Sequence, residues 1–264
     1  MEYKKINVDS ALKKITRKDN LFCGDYTIDP YQHCEYGCIY CDSSYDKKIF
    51  IKNNIEVVLE KELKKIRSGN IIVGSVNDPY QKIEEKENKT LKILKQIKKH
   101  NLSCHILTKS NLILRDLALL KKIKNCRVTI SITTINDQKR RTIEKKLPSV
   151  KSRLETIKKL DENNIPTGLA LIPLIPCFVE DELEEIISRV KKDKIKYFLY
   201  KYLELKGFQK DIFINKIKNR YPKLVDKYQK LYLESYLPNK EYRLKIDKKI
   251  NKLVDFYDIK MGLC

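Results

Sequence analysis

Short apolar runs alternate with amphipathic stretches through most of the chain. The runs at 25–29, 71–75, 103–109, 127–134, 166–175 and 196–205 read as strands. Continuous runs of Val, Ile and Leu mark strands covered on both faces. Between them, 56–66, 85–100, 112–123, 150–164 and 179–192 have helical spacing. In 85–100, Leu91, Leu94 and Ile97 share one face and the last turn is basic. Six strands with helices between them predict crossover units and a parallel sheet, either a barrel or a doubly wound sheet. In both, chemistry gathers at the C-terminal ends of the strands. The loops that leave the strands are therefore the segments to read closely.

From about residue 208 the pattern changes. The remainder is rich in Lys and Tyr and helical in spacing, with Tyr221, Tyr228, Tyr232 and Tyr236 recurring at intervals of seven and four. A stripe that stacks nucleic-acid bases and a helix face packed on the rest of the fold both fit, and the spacing favours packing. No internal repeat or Gly/Ser linker is evident.

Composition narrows this picture. The chain has 264 residues, 42% of them hydrophobic, enough for one large α/β domain with or without an appendage. The N-terminal stretch "MEYKKINVDSALKKI" is polar, and no segment approaches the ~20 apolar residues of a membrane span. A cytoplasmic protein is expected. The net charge of +21 points to a polyanionic partner such as nucleic acid. Yet the basic residues are 46 Lys and only 10 Arg, and Ile and Asn are abundant, as AT-rich coding would give. Arg is the residue favoured for gripping phosphate bidentately.

Three of the eight cysteines cluster in "HCEYGCIYC", residues 33–41: Cys34, Cys38 and Cys41. The others (Cys23, Cys104, Cys126, Cys177 and Cys264) are scattered. In a reducing compartment such a cluster marks metal or catalytic use rather than a disulfide framework. A structural zinc ion takes four ligands and a disulfide two. Three thiolates can hold three irons of a four-iron cluster and leave the fourth iron open. A zinc site would need His33 as its fourth ligand, but adjacent side chains on an extended segment point apart.

The C-x3-C-x2-C spacing, with Tyr40 just before the last cysteine and a strand just before the loop, resembles the radical S-adenosylmethionine superfamily. The blocks "DPYQHCEYGCIYC", "GSVNDPYQKIE", "ILTKS", "SITT" and "RLETIKKL", spread over roughly residues 21–205, are similar to its spore photoproduct lyase branch, also described as DNA repair photolyase-like. The resemblance implies an α/β fold with a partial (β/α)6 TIM-type barrel, here over 1–205; the helical spacing beyond it reads as a C-terminal extension over 206–264. It implies a [4Fe-4S] cluster on Cys34, Cys38 and Cys41, with S-adenosyl-L-methionine (AdoMet) at the free iron. Reductive cleavage of AdoMet would give a 5'-deoxyadenosyl radical that takes hydrogen from a substrate. It further implies a reducing partner such as flavodoxin or ferredoxin, no membrane, and nucleic acid as a candidate substrate.

By the same resemblance, Tyr40 packs near the adenine, and Ser75, Asn77 and Asp78 meet the methionine amino group. Lys109 reaches the cofactor carboxylate, Ser131 and Thr133 the ribose, and Arg153 the carboxylate. Plainer readings stand beside these: an Asp-Pro turn at Asp78, a surface lysine at Lys109, small polar fillers at Ser131 and Thr133, a solvent-facing Arg153. One departure matters. Where spore photoproduct lyase carries a cysteine that returns hydrogen to the product radical, this chain has Ser75. A serine O–H bond is far stronger than a thiol S–H bond, which argues against thymine-dimer reversal by the same route. Cys177, after the fifth strand, is the alternative thiol at the barrel mouth, or a packing cysteine. The competing class is a non-catalytic nucleic-acid-binding protein stabilised by a metal at the same cysteines. It predicts Arg and aromatic residues grouped on one surface, whereas the basic residues here spread over nearly every helix.

Overall fold

A computed structural model describes residues 1–17 and 19–263. Its strands are β1 (Glu2–Ile6), β2 (Lys13–Lys14), β3 (Tyr26–Ile28), β4 (Tyr31–Gln32), β5 (Lys48–Lys52), β6 (Asn70–Val73), β7 (Ser103–Thr108), β8 (Arg127–Ser131), β9 (Thr167–Leu174) and β10 (Tyr197–Tyr202). Its helices are α1 (Ile55–Leu63), α2 (Glu84–Glu87), α3 (Lys89–Lys99), α4 (Leu117–Leu120), α5 (Asp137–Ile143), α6 (Val150–Glu162), α7 (Leu183–Lys192), α8 (Gln209–Lys218), α9 (Pro222–Leu231) and α10 (Lys240–Phe256).

The main sheet runs β10-β9-β8-β7-β6-β3-β2, and every neighbour pair from β3 to β10 is parallel. Parallel strands that follow one another in space as in sequence have no reversal of order, so this is the partial-barrel arrangement and not the doubly wound one. Its six parallel strands are the six apolar runs of the sequence. Both edges are covered, as exposed edges must be. The two-residue β2 pairs antiparallel with β3. Near the other end of the chain, the Phe198 N–H donates to the Lys260 carbonyl (2.9 Å) and the Gly262 N–H to the Phe198 carbonyl (3.1 Å).

A second sheet, β1-β5-β4, was not legible as apolar runs. Four of the five β1 residues are exposed, and β4 has only two residues. This sheet matters because β4 and β5 are antiparallel and the cysteine loop is the connection between them. Two helices also differ from the spacing. The 85–100 stretch divides at Asn88, which takes a left-handed backbone (φ +53°) between α2 and α3. The 112–123 stretch opens with a 3-10 turn before α4.

Helices α8–α10 share one apolar core with the barrel: Phe213, Ile217, Tyr228, Tyr232, Ile246, Ile250 and Val254 join the cluster that contains Val73, Ile106, Val128 and Leu169. The middle of the tyrosine stripe packs, while Tyr221 is half-buried and Tyr236 exposed. Tyr228 and Tyr232 are fully buried, and the Tyr232 hydroxyl donates to the Leu203 carbonyl (3.0 Å). Among the described residues no helix is long and apolar enough to cross a membrane.

Candidate active site

The strand exits are locked by a device the sequence writes twice. Asp-Pro-Tyr-Gln occurs at 29–32, directly after β3, and at 78–81, in the loop after β6. Each Asp clamps the exit of the next strand. The Asp29 carboxylate accepts from the Ser75 hydroxyl (3.0 Å) and from the N–H groups of Val76 (3.1 Å) and Asn77 (3.0 Å). The Asp78 carboxylate accepts from the Thr108 hydroxyl (2.6 Å) and the Lys109 N–H (2.7 Å) at the end of β7, and from the Tyr80 N–H (2.9 Å). Burial pushes the Asp78 carboxyl up despite these donors. Each Tyr gives its hydroxyl to a buried acid, Tyr31 to Glu84 and Tyr80 to Asp116, and Arg115 bridges the two acids at 2.8 Å each. At the β6 exit only glycine fits. Gly74 has φ +86°, and a Cβ there would lie 2.7 Å from the Leu107 carbonyl oxygen.

The cysteine loop is fastened on several sides. Gln81 brackets Cys34, donating to the His33 carbonyl (2.9 Å) and accepting from the Glu35 N–H (2.8 Å). The Cys34 N–H donates to the Ser43 carbonyl (2.7 Å), closing the loop on itself. Gly37 supplies a left-handed turn (φ +67°) between Cys34 and Cys38. The Ile39 N–H donates to the Ile143 carbonyl (3.0 Å), and the buried Tyr40 hydroxyl donates to Glu144. From the extension, the Gln209 side-chain amide donates to the Tyr40 carbonyl.

These loops surround a cavity of about 280 Å³ at the C-terminal ends of the parallel strands. Cys34, Cys38 and Cys41 all line it, with Tyr40, Ser75, Asn77, Asp78, Lys109 and Ser131. The sequence thus brings nine of its candidate residues to one place. Burial pushes the Cys34 thiol up to about 12 and raises Cys38 and Cys41 as well. The free thiols therefore stay protonated near neutrality until a metal replaces the proton. Among the described residues no three His, Cys, Asp or Glu side chains converge on one point as a single ion requires; the three thiols stand around a cavity. His33 is not with them. Its Nδ1 lies 3.0 Å from the Lys48 carbonyl oxygen and 3.5 Å from the Asp46 carboxylate, which removes the fourth ligand of the zinc alternative.

Asn77 carries the clearest sign of a ligand. It is only 6% exposed, it lines the cavity, and its Oδ1 is buried without a hydrogen-bond partner. A buried acceptor left unmade costs free energy, and a hydrogen-bond donor is what it lacks. Lys109 Nζ (3.0 Å) and the Ser131 hydroxyl (2.7 Å) both donate to the Ile172 carbonyl, so the ends of β7, β8 and β9 meet on one oxygen. The donor set fits an iron–sulfur cluster and an amino-acid cofactor: three thiols, an unpaired carbonyl and a lysine. Ser75 is in the cavity but its hydroxyl is committed to Asp29.

Three expected residues lie elsewhere. Thr133 and Arg153 do not line the cavity. They stand behind it, fully buried, and both donate to Glu144 at 2.6 Å. Arg153 is thus not solvent-facing: its guanidinium is spent on Glu144 and on the Ser131 carbonyl behind the cavity. Cys177 is not at the barrel mouth with the other thiols. The turn after β9 (φ +58° at Cys177, its N–H donating to Glu180 at 2.6 Å) places it in a second cavity with Lys139, Phe178, Arg220 and Tyr221. Cys264 lies outside the described residues. Several lining residues carried no sequence signal, among them Tyr36, Asp42, Lys201, Glu204, Lys206 and Gln209. Glu204 sits between Lys201 (2.7 Å) and Lys206 (2.5 Å) on the outer wall.

A barrel of this topology with a three-thiol cavity at its strand ends is the frame of a radical enzyme. Residues 28–190 match the family model of the radical SAM superfamily, more than half of the chain. The chain belongs to that superfamily and is a radical SAM enzyme. An uncharacterized protein of Methanocaldococcus jannaschii is 31% identical over 208 residues, covering 75% of this chain and 76% of the relative. An uncharacterized protein of Mycobacterium tuberculosis is 23% identical over 253 residues, 88% of this chain and 74% of the relative. Among solved structures, spore photoproduct lyase complexed with dinucleoside spore photoproduct superposes with a TM-score of 0.75 at 15% identity, covering 98% of this chain and 81% of that one. A mutant of that lyase with bound AdoMet and the dinucleoside gives a TM-score of 0.74 at 14% identity, with the same coverage. At these identities the likeness establishes the fold.

Proposed function

We propose that this chain binds a [4Fe-4S] cluster through Cys34, Cys38 and Cys41 and places AdoMet beside it. The observation that carries the reading is the shared cavity: three thiols, the unpaired Asn77 Oδ1 and Lys109 line one space at the strand ends. When bound, the cluster and AdoMet supply a one-electron cleavage that yields a 5'-deoxyadenosyl radical, the species that takes hydrogen from substrate. The residues of the chain do the positioning. Asn77 accepts from the methionine ammonium, and the Asp29 clamp holds Asn77 in place. Lys109 offers its cation to the carboxylate. Burial of Cys34 and Cys38 shields their side of the cluster from water.

Among the described residues lining the cavity, the thiols are those three alone. With them committed to iron, no thiol in the cavity remains to return hydrogen, and Ser75 is a poor donor. This supports an outcome other than thymine-dimer reversal by thiol quenching. The charge of +21 supports nucleic acid as the substrate and an acidic electron carrier such as flavodoxin or ferredoxin as the reducing partner.

AdoMet titration of the anaerobically reconstituted protein tests the reading. Asn77→Ala removes the waiting acceptor and is expected to weaken AdoMet about tenfold, the worth of one hydrogen bond to a charged group, with iron content unchanged. Unchanged affinity would take Asn77 out of the site. Nucleic acid as substrate requires that an oligonucleotide raise 5'-deoxyadenosine yield and acquire a modification; no change with any oligonucleotide would remove it.

A further inference from the structure

Glu144 lies behind the cavity, in a segment no motif marks, bonded to Tyr40 of the lining and through Arg153 to Ser131. It is fully buried. Its Oε2 accepts from Arg153 (2.6 Å), and its Oε1 accepts from Thr133 (2.6 Å) and from the Tyr40 hydroxyl. Its own segment is held rigidly, since Arg140 donates to the carbonyls of Glu144 (3.1 Å) and Leu147 (3.0 Å). Arg153 donates onward to the Ser131 carbonyl (3.2 Å). The neighbouring Ile39 N–H bonds to the Ile143 carbonyl (3.0 Å). Residues 39 and 40, which lie between Cys38 and Cys41, are therefore fastened to 143 and 144 at two adjacent points, and two points fix both place and tilt.

We infer that Glu144 is a positioning residue for the cysteine loop: through Tyr40 on one side and Arg153 on the other, it sets the Cys38–Cys41 wall against the Ser131 wall of the cavity. This deepens the function proposed above and rests on its assignment of the three cysteines. A buried carboxylate–guanidinium pair adds little net stability over apolar residues of the same volume. Its directional bonds are what apolar packing cannot supply. Thr133 and Arg153 are part of this support, which explains why they stand close to the site without lining it.

The test is Tyr40→Phe in the full chain. It deletes one hydroxyl and leaves Glu144 with Arg153 and Thr133, so the fold is retained. Amide exchange is followed by mass spectrometry in the iron-free protein and after anaerobic loading. Exchange at Ile39 and Cys41 is expected to quicken about tenfold, with β7 and β8 unchanged, and AdoMet affinity of the loaded protein to fall by a similar factor. In a Glu144→Gln background the effect of Tyr40→Phe should shrink, as coupled groups require. Parent-like exchange and affinity in Tyr40→Phe would overturn the inference. So would a loss of protection spread evenly over the barrel with a lowered Tm, which marks a merely structural bond. If the parent takes up no iron and sulfide, the cluster assignment itself fails, and the iron-free exchange still decides whether Glu144 holds the loop.

Discussion

At the scale of single residues, burial without a partner separates two very different polar groups. Asn77 Oδ1 faces a cavity and waits for a donor. His105 faces none: it is fully buried on β7, its Nε2 lies 2.6 Å from the Thr129 hydroxyl, and its Nδ1 has no partner. Burial first, then the charge of Arg127, pushes the imidazole down to about 3. It folds neutral, whereas the unfolded chain binds a proton near pH 6.5. The unfolded state therefore gains protons first as pH falls, and stability drops below pH 6.5 until the folded pKa is reached. Between pH 7 and pH 5 this one group is expected to cost about 2 kcal/mol. Denaturant midpoints of the parent and of His105→Gln at the two pH values check it. A parent pH dependence no steeper than that of the variant would show that His105 is not the titrating group.

At the scale of elements, the loops between strands carry the site and the strands only aim it. Asp29 is the simplest lever, because one carboxylate fixes three donors of the loop after β6. Asp29→Ala is expected to cost about 2–3 kcal/mol of stability and to weaken AdoMet as well, since Asn77 loses its anchor; Asp29→Asn, which keeps an acceptor, should lose less of both. Stability loss with AdoMet affinity unchanged would separate the clamp from the site. The clamp was legible in principle, because its Asp-Pro-Tyr-Gln tetrapeptide is written twice, although nothing short of the fold shows what each Asp holds. The barrel strands were legible because each is covered on both faces and so reads as a continuous apolar run. β5 carried a signal too, the alternation Lys48-Ile49-Phe50-Ile51-Lys52. β1 carried none, being exposed along most of its length. Glu144 was illegible for another reason. It sits among charged residues in "TIEKK", and only the return of α6 past it, bringing Arg153, makes it a buried acid.

At the scale of the whole molecule, the termini and the extension finish what the barrel begins. β2 covers one sheet edge and the segment around Lys260 the other. The helices after residue 208 share the barrel core and send Gln209 back to the cysteine loop. All of this converges on one cavity with three thiols, the space proposed to hold the cluster that cleaves AdoMet. The direct measurement is anaerobic reconstitution with iron and sulfide, followed by dithionite and AdoMet, with 5'-deoxyadenosine quantified by chromatography for the parent and for Cys38→Ala. An iron–sulfur absorbance and 5'-deoxyadenosine are expected from the parent, and neither from Cys38→Ala. Full cleavage by Cys38→Ala, or tight zinc in the parent with no cluster and no cleavage, would contradict it.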